Sequence, residues 1–170
     1  MRHEALSRRD FLRGSRRAGP LRIRPPGFAE DGAEDGLAAC TGCGACVAHC
    51  PAGILSLADG LPAVDFAVGE CTFCGACAQH CPEPVFADGV AGRFDHIVAF
   101  SASCLPFQGV DCQACRDACP TGAIRFRPVR GGPFVPDLAA DACTGCGACI
   151  AVCPVGAVAV ALPEMEAAHA

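Results

Sequence analysis

Sixteen cysteines in a chain of 170 residues, about 9% of the total, are the residues equipped for chemistry, and that density belongs to disulfide or metal scaffolds. They form four groups of four: Cys40-x2-Cys43-x2-Cys46-x3-Cys50-Pro51, Cys71-x2-Cys74-x2-Cys77-x3-Cys81-Pro82, Cys104-x7-Cys112-x2-Cys115-x3-Cys119-Pro120, and Cys143-x2-Cys146-x2-Cys149-x3-Cys153-Pro154. None is left over. Three groups match, without deviation, the run by which bacterial ferredoxins hold 4Fe–4S clusters. Three thiolates two residues apart on a tight loop can face three irons of one cubane. The fourth, three residues on, begins a helical turn and is directed elsewhere; in two-cluster ferredoxins it ligates the other cluster. The proline after it lacks an N–H and fixes φ, which turns the chain away from the site. Gly44, Gly75 and Gly147 follow the second cysteine of their groups, where a missing Cβ lets backbone approach an inorganic sulfide with an N–H to offer. A disulfide framework needs an oxidising compartment and does not explain a repeated Cys-Pro terminus. Structural zinc favours separated C-x2-C pairs over three cysteines within seven residues.

The third group departs from the others. Seven residues separate Cys104 from Cys112, and Gln113 stands where the other groups have Gly. A longer loop can still bring Cys104 to iron, so all sixteen cysteines are taken as ligands of four clusters. The alternative is a three-ligand or labile cluster at the Cys104 group, so that the chain holds three or four 4Fe–4S clusters, with four preferred. His49 and His80 precede the fourth cysteine of their groups and read as surface helix residues before they read as donors to a cluster sulfur. Arg125 and Arg127 flank Phe126 and read as solvated. No Ser/His/Asp set, phosphate-cradling loop or paired carboxylates stand out, so a protein-based active site is not expected.

The elements that position these thiolates are short. Large core-formers are scarce: there is no Trp or Tyr, and only two Met. Such a chain needs metal staples to hold a core, and the apo-protein is expected to be largely unfolded. Helical turns are expected over Ala48–Cys50, Ala78–Cys81, Arg116–Cys119 and Ala151–Cys153. Hairpins are expected where Ile54–Leu57 and Ala63–Asp65 flank Asp59-Gly60, and where Ala123–Phe126 and Phe134–Val135 flank Arg130-Gly131-Gly132. Phe94–Ser101 and Ala157–Val160 read as strands. The fold class is α+β: two tandem bacterial 2x4Fe-4S ferredoxin-like lobes at 37–90 and 100–165, a connecting segment at 91–99, a flexible N-terminal arm at 1–36, and a tail at 166–170. Linear pairing of neighbouring groups is preferred, because sequence neighbours tend to be spatial neighbours. A nested pairing of group one with four and two with three stays open.

Charge divides the chain. All 13 basic residues are Arg; eight lie within residues 1–24, which carry a net +6, while the remainder carries −11. Each oxidised cluster with its thiolates adds about −2. So acidic a body argues against nucleic-acid binding, and no apolar run reaches the 18 residues that membrane insertion would need. Ser7-Arg8-Arg9-Asp10-Phe11-Leu12-Arg13 is twin-arginine-like, but the Arg- and Pro-containing residues after it provide no apolar stretch. The expected location is therefore cytoplasmic, with the arm a solvated segment or a docking segment for an acidic partner.

The chain resembles the family of ferredoxin-type NapF proteins of periplasmic nitrate reductase systems. The likeness covers nearly the whole length. It rests on Ser7-Arg8-Arg9, Ile23-Arg24-Pro25-Pro26, the four cysteine groups in this order with the stretched third, Cys71-x-Phe73-Cys74-x-Ala76-Cys77-Ala78-Gln79-x-Cys81-Pro82-Glu83, and Ile124-x-Phe126-Arg127-Pro128. The resemblance implies a cytoplasmic iron–sulfur accessory protein that is not an enzyme. It would bind the catalytic subunit of periplasmic nitrate reductase, itself a carrier of a 4Fe–4S cluster and a molybdopterin cofactor, before twin-arginine export, and would assist its cluster assembly. The alternatives are a polyferredoxin electron carrier and a binding chaperone whose clusters are staples.

Overall fold

The computed structural model describes residues 23–29, 36–86 and 92–162. The twin-arginine-like segment and the expected tail lie outside the described residues. Among the described residues six strands of four residues make three separate two-stranded antiparallel sheets. In the first, β1 (Leu55–Ala58) pairs with β2 (Leu61–Val64), with Leu55 opposite Val64. Asp59 and Gly60 join them with φ of 52° and 79°, the two positive values that a type I′ hairpin turn demands. In the second, β3 (Ile97–Phe100) pairs with β6 (Val158–Ala161). In the third, β4 (Ile124–Arg127) pairs with β5 (Val135–Leu138).

Among the described residues five single-turn α-helices accompany the strands: α1 (Gly36–Ala39), α2 (Ala45–Ala48), α3 (Ala76–Gln79), α4 (Ala114–Asp117) and α5 (Ala148–Ala151). The last four begin two or three residues earlier than expected. Their start is set by Gly44, Gly75 and Gly147, which cap α2, α3 and α5 with φ of 76°, 75° and 84°. Their end is set by the proline after each fourth cysteine, which disfavours helical backbone at the cysteine itself. The stretched third loop is not extended: Leu105–Gln108 forms a 3-10 turn capped by Cys104.

Residues 23–29 belong by composition to the irregular arm, yet they lie against the first lobe. The Val64 N–H donates to Ile23 O (2.8 Å), and the Ala29 N–H donates to Val85 O (3.0 Å). Arg24 Nη1 donates to Pro62 O (2.7 Å). Phe28 is buried, meets Phe86 edge-on at 5.8 Å, and forms a β-bridge with it. Phe86 lies five residues after Cys81, as Val158 lies five after Cys153. The strap is therefore the first lobe's counterpart of β3, reduced from a four-residue ladder to one bridge. Its apolar residues find partners only in tertiary packing, which composition alone does not reveal.

Among the described residues two cores carry the fold. In one, Ile97, Val98, Ala123, Ile124 and Val158 pack with Cys115, Cys143 and Cys149. In the other, Ile54 and Leu55 pack with Cys46. No helix among the described residues is long and apolar enough to cross a membrane.

Candidate metal centres

Three of the four loops present their thiols by the same device: a left-handed glycine ends the loop and the helix begins at once. In the third group Gln113, at φ −134°, takes the place of that glycine. In all four the third cysteine is the second residue of its helix, and Cys46, Cys115 and Cys149 are buried. At Gly147 the glycine has a second cause: a Cβ there would lie 2.0 Å from Phe66 Cδ1. Besides the approach toward a sulfide expected from the sequence, the missing Cβ at this position admits an aromatic ring from the other lobe.

The structure divides the sixteen cysteines among four cavities. Cys40, Cys43, Cys46 and Cys81 line one. Cys50, Cys71, Cys74 and Cys77 line the second. Cys104, Cys112, Cys115 and Cys153 line the third, and Cys119, Cys143, Cys146 and Cys149 the fourth. This is the linear pairing. Each group gives three sulfurs to its own cavity and its fourth to that of its neighbour. Cys104, the uncertain member, is buried and sits with its three partners. All sixteen thiols are free of disulfides. Among the described residues no three Cys, His, Asp or Glu donors converge closely enough for one metal ion. Sulfurs arranged around a space rather than a point suit a cubane, whose irons each take one thiolate, and not a tetrahedral zinc.

Six of the thiols sit where protons leave reluctantly. Burial pushes Cys149 up to about 12, aided by Cys146, Cys143 and Cys115, and pushes Cys77 and Cys115 up to about 11. Cys46, Cys71 and Cys104 are raised for the same first reason. Cys146 is among the sulfurs that raise Cys71 further, so the second and fourth cavities feel each other. A cationic iron core supplies the charge that burial withholds, so cluster insertion must release protons.

Cys119 behaves differently. Burial raises it, but the Thr121 hydroxyl and the N–H groups of Ile124, Ala123 and Thr121 outweigh burial, and its pKa falls below the ordinary thiol value. Thr121 Oγ1 lies 3.6 Å from Cys119 Sγ. A ligating thiolate can only accept, so the hydroxyl donates. The corresponding residues after the other Cys-Pro pairs are Ala52, Glu83 and Val155. Hydrogen bonds to cluster sulfurs raise potentials. Replacing Thr121→Val should make one cluster, that of the fourth cavity, more negative. Loss of about 1 kcal/mol of charge-assisted bonding amounts to roughly 40 mV for one electron. An EPR-monitored redox titration reads the shift, and four unchanged potentials would deny Thr121 this role.

Phe73 was singled out only for its place in a resemblance. It holds φ 54°, in the position where groups one and four have Gly42 (67°) and Gly145 (71°). A bulky residue there costs on the order of 1 kcal/mol or more. Its ring lines the second cavity and packs on Phe94 at 5.6 Å. His49 and His80 do not reach a sulfur with Nδ1. Those nitrogens donate to Ala45 O (2.9 Å) and Ala76 O (3.0 Å), and the exposed rings stack on each other at 3.8 Å. Arg125 and Arg127 are exposed. Sequence reasoning missed His96. It is buried, with Nε2–H donating to Gly145 O at 2.8 Å, and its ring is packed on Phe94 at 4.7 Å. No spacing rule marks it.

The 4Fe-4S dicluster domain matches the chain twice, at residues 34–82 and 110–157. The chain is 43% identical over 166 residues to the ferredoxin-type protein NapF of Haemophilus influenzae, covering 91% of this chain and 93% of that one. To the NapF of Escherichia coli K12 it is 42% identical over 153 residues, covering 89% and 92%. To the ferredoxin-type protein NapG of the same organism it is 33% identical over 159 residues, covering 81% and 68%. The architecture is thus a tandem of 4Fe-4S dicluster domains of mixed α+β structure, and the protein carries multiple 4Fe–4S clusters.

Proposed function

Because the chain belongs to the family of ferredoxin-type NapF proteins, we propose that all sixteen cysteines ligate four 4Fe–4S clusters in the sets that line the four cavities. We propose further that the protein acts in the cytoplasm as an accessory factor, not an enzyme, of a periplasmic nitrate reductase. It binds the catalytic-subunit precursor before export and assists assembly of that subunit's 4Fe–4S cluster. The observation that carries this reading is that the chain's chemical resources are spent on the clusters. All sixteen cysteines line the four cavities. Among the described residues the only buried polar or charged side chain is His96, and it is occupied by Gly145 O. The acidic body and Arg-rich first 24 residues add an oppositely charged pair of surfaces for a partner.

The test is the iron and acid-labile sulfide content of the catalytic subunit purified from a strain lacking this chain. A depleted subunit, restored by returning the full chain, is expected. A fully loaded subunit would remove the maturation role. It would leave the electron-carrier reading, which the direct contact between the second and fourth cysteine loops favours.

A further inference from the structure

We propose that the four cluster sites form one unbranched series, in which the Cys50/Cys71/Cys74/Cys77 set and the Cys119/Cys143/Cys146/Cys149 set are neighbours across the lobes, and the Cys40 and Cys104 sets are the two ends. The inference rests on the reading that all four sets bind clusters. The Cys71 N–H donates to Cys146 O at 2.9 Å, so a single hydrogen bond joins a ligand of one site to a ligand of the other.

The surroundings hold these two loops face to face. Phe94 donates its N–H to Thr144 O at 2.9 Å and packs on Phe73 of the facing loop. His96 donates to Gly145 O. Phe66, at the end of the first lobe's hairpin, fills the space left by the absent Cβ of Gly147 and meets Phe94 and His96 edge-on, both at 5.6 Å. The strained φ of Phe73 falls at the one loop position whose ring reaches this set. By contrast, among the described residues no backbone hydrogen bond joins the Cys40–Cys46 loop or the Cys104–Cys115 segment to the opposite lobe. Within each lobe the two sites share a core: Cys46 packs with Cys50, Cys71 and Cys77, and Cys115 packs with Cys143 and Cys149. Set one therefore adjoins two, two adjoins four, and four adjoins three.

The experiment is pulsed dipolar EPR on the full holoprotein reduced with dithionite, after iron and sulfide analysis. Three strong pairwise couplings are expected, with the weakest coupling between the two end sites. Cys43→Ala and Cys112→Ala, each removing an end cluster, should leave the cross-lobe coupling in place; Cys74→Ala and Cys146→Ala should abolish it. Fewer than four clusters in the wild-type protein would defeat the underlying reading. Four clusters with a fourth strong coupling, or a cross-lobe coupling that survives Cys74→Ala, would overturn the order alone. If a variant sheds both clusters of a lobe, the count of strong couplings in the wild-type protein decides.

Discussion

Removing the iron from the holoprotein with a chelator under reducing conditions should abolish its cooperative unfolding transition and most of its strand signal in far-UV circular dichroism. The elements cannot stand without the clusters. Among the described residues every α-helix is four residues long, far below the length at which a helix persists in water, and every sheet has two strands, which is marginal at best. The larger core counts Cys115, Cys143 and Cys149 among its eight buried residues. Structural metal sites are worth about 10 kcal/mol or more each, comparable to the whole stability of an ordinary domain. What apo fold persists should weaken further above about pH 9. Cys149, Cys77 and Cys115 keep their protons when folded up to about 11 or 12, against 9.0 for an ordinary thiol, so the unfolded chain ionises first and stability falls as pH rises through that window. A metal-free protein with native dispersion of its amide NMR signals would show that the polypeptide, and not the clusters, carries the fold.

The second large effect concerns Gly147→Ala, which should lower holoprotein stability by about 3 kcal/mol. Two costs add. At φ of 84° a side chain is strained, which is worth on the order of 1 kcal/mol or more. The new methyl would also meet the buried Phe66 ring at 2.0, 2.4 and 2.7 Å from three of its atoms, and overpacking of that kind costs about 1–3 kcal/mol. Gly44→Ala is the control, since its φ of 76° is nearly the same but its nearest neighbour, Leu57 Cδ1, lies at 3.7 Å. It should lose only the conformational part, about 1 kcal/mol. Denaturant midpoints of the two variants, measured with clusters intact, separate the contributions. Equal losses would mean that Phe66 yields freely and the lobes are not wedged at this point.

The cysteine repeat made the metal chemistry, the division into paired groups and both hairpins legible, because each is local: a spacing, a turn dipeptide, a run of β-branched or apolar residues. What was not legible is what depends on distant partners. β3 reads as a strand from Ile97 and Val98, but nothing in Phe94–Ser101 says that it pairs with residues 158–161. The strap at 23–29 looks irregular because its partners, Val64, Pro62 and Val85, lie 38 or more residues away. The helices were placed late because the cysteines drew attention, whereas the left-handed glycines and the prolines set the limits. His96 and Phe66 had no signal at all, since a lone buried ring has no period.

The strap's single bridge has one more consequence. A labile cluster at the stretched Cys104 group was the alternative to full ligation; Cys104 is buried, and the two exposed cysteines are Cys43 and Cys74, both in the lobe that the strap closes. The other lobe is closed by four ladder pairs. On contact with air the brown chromophore should therefore bleach in two stages, the first half fading from the N-terminal side of the molecule while the C-terminal half still absorbs.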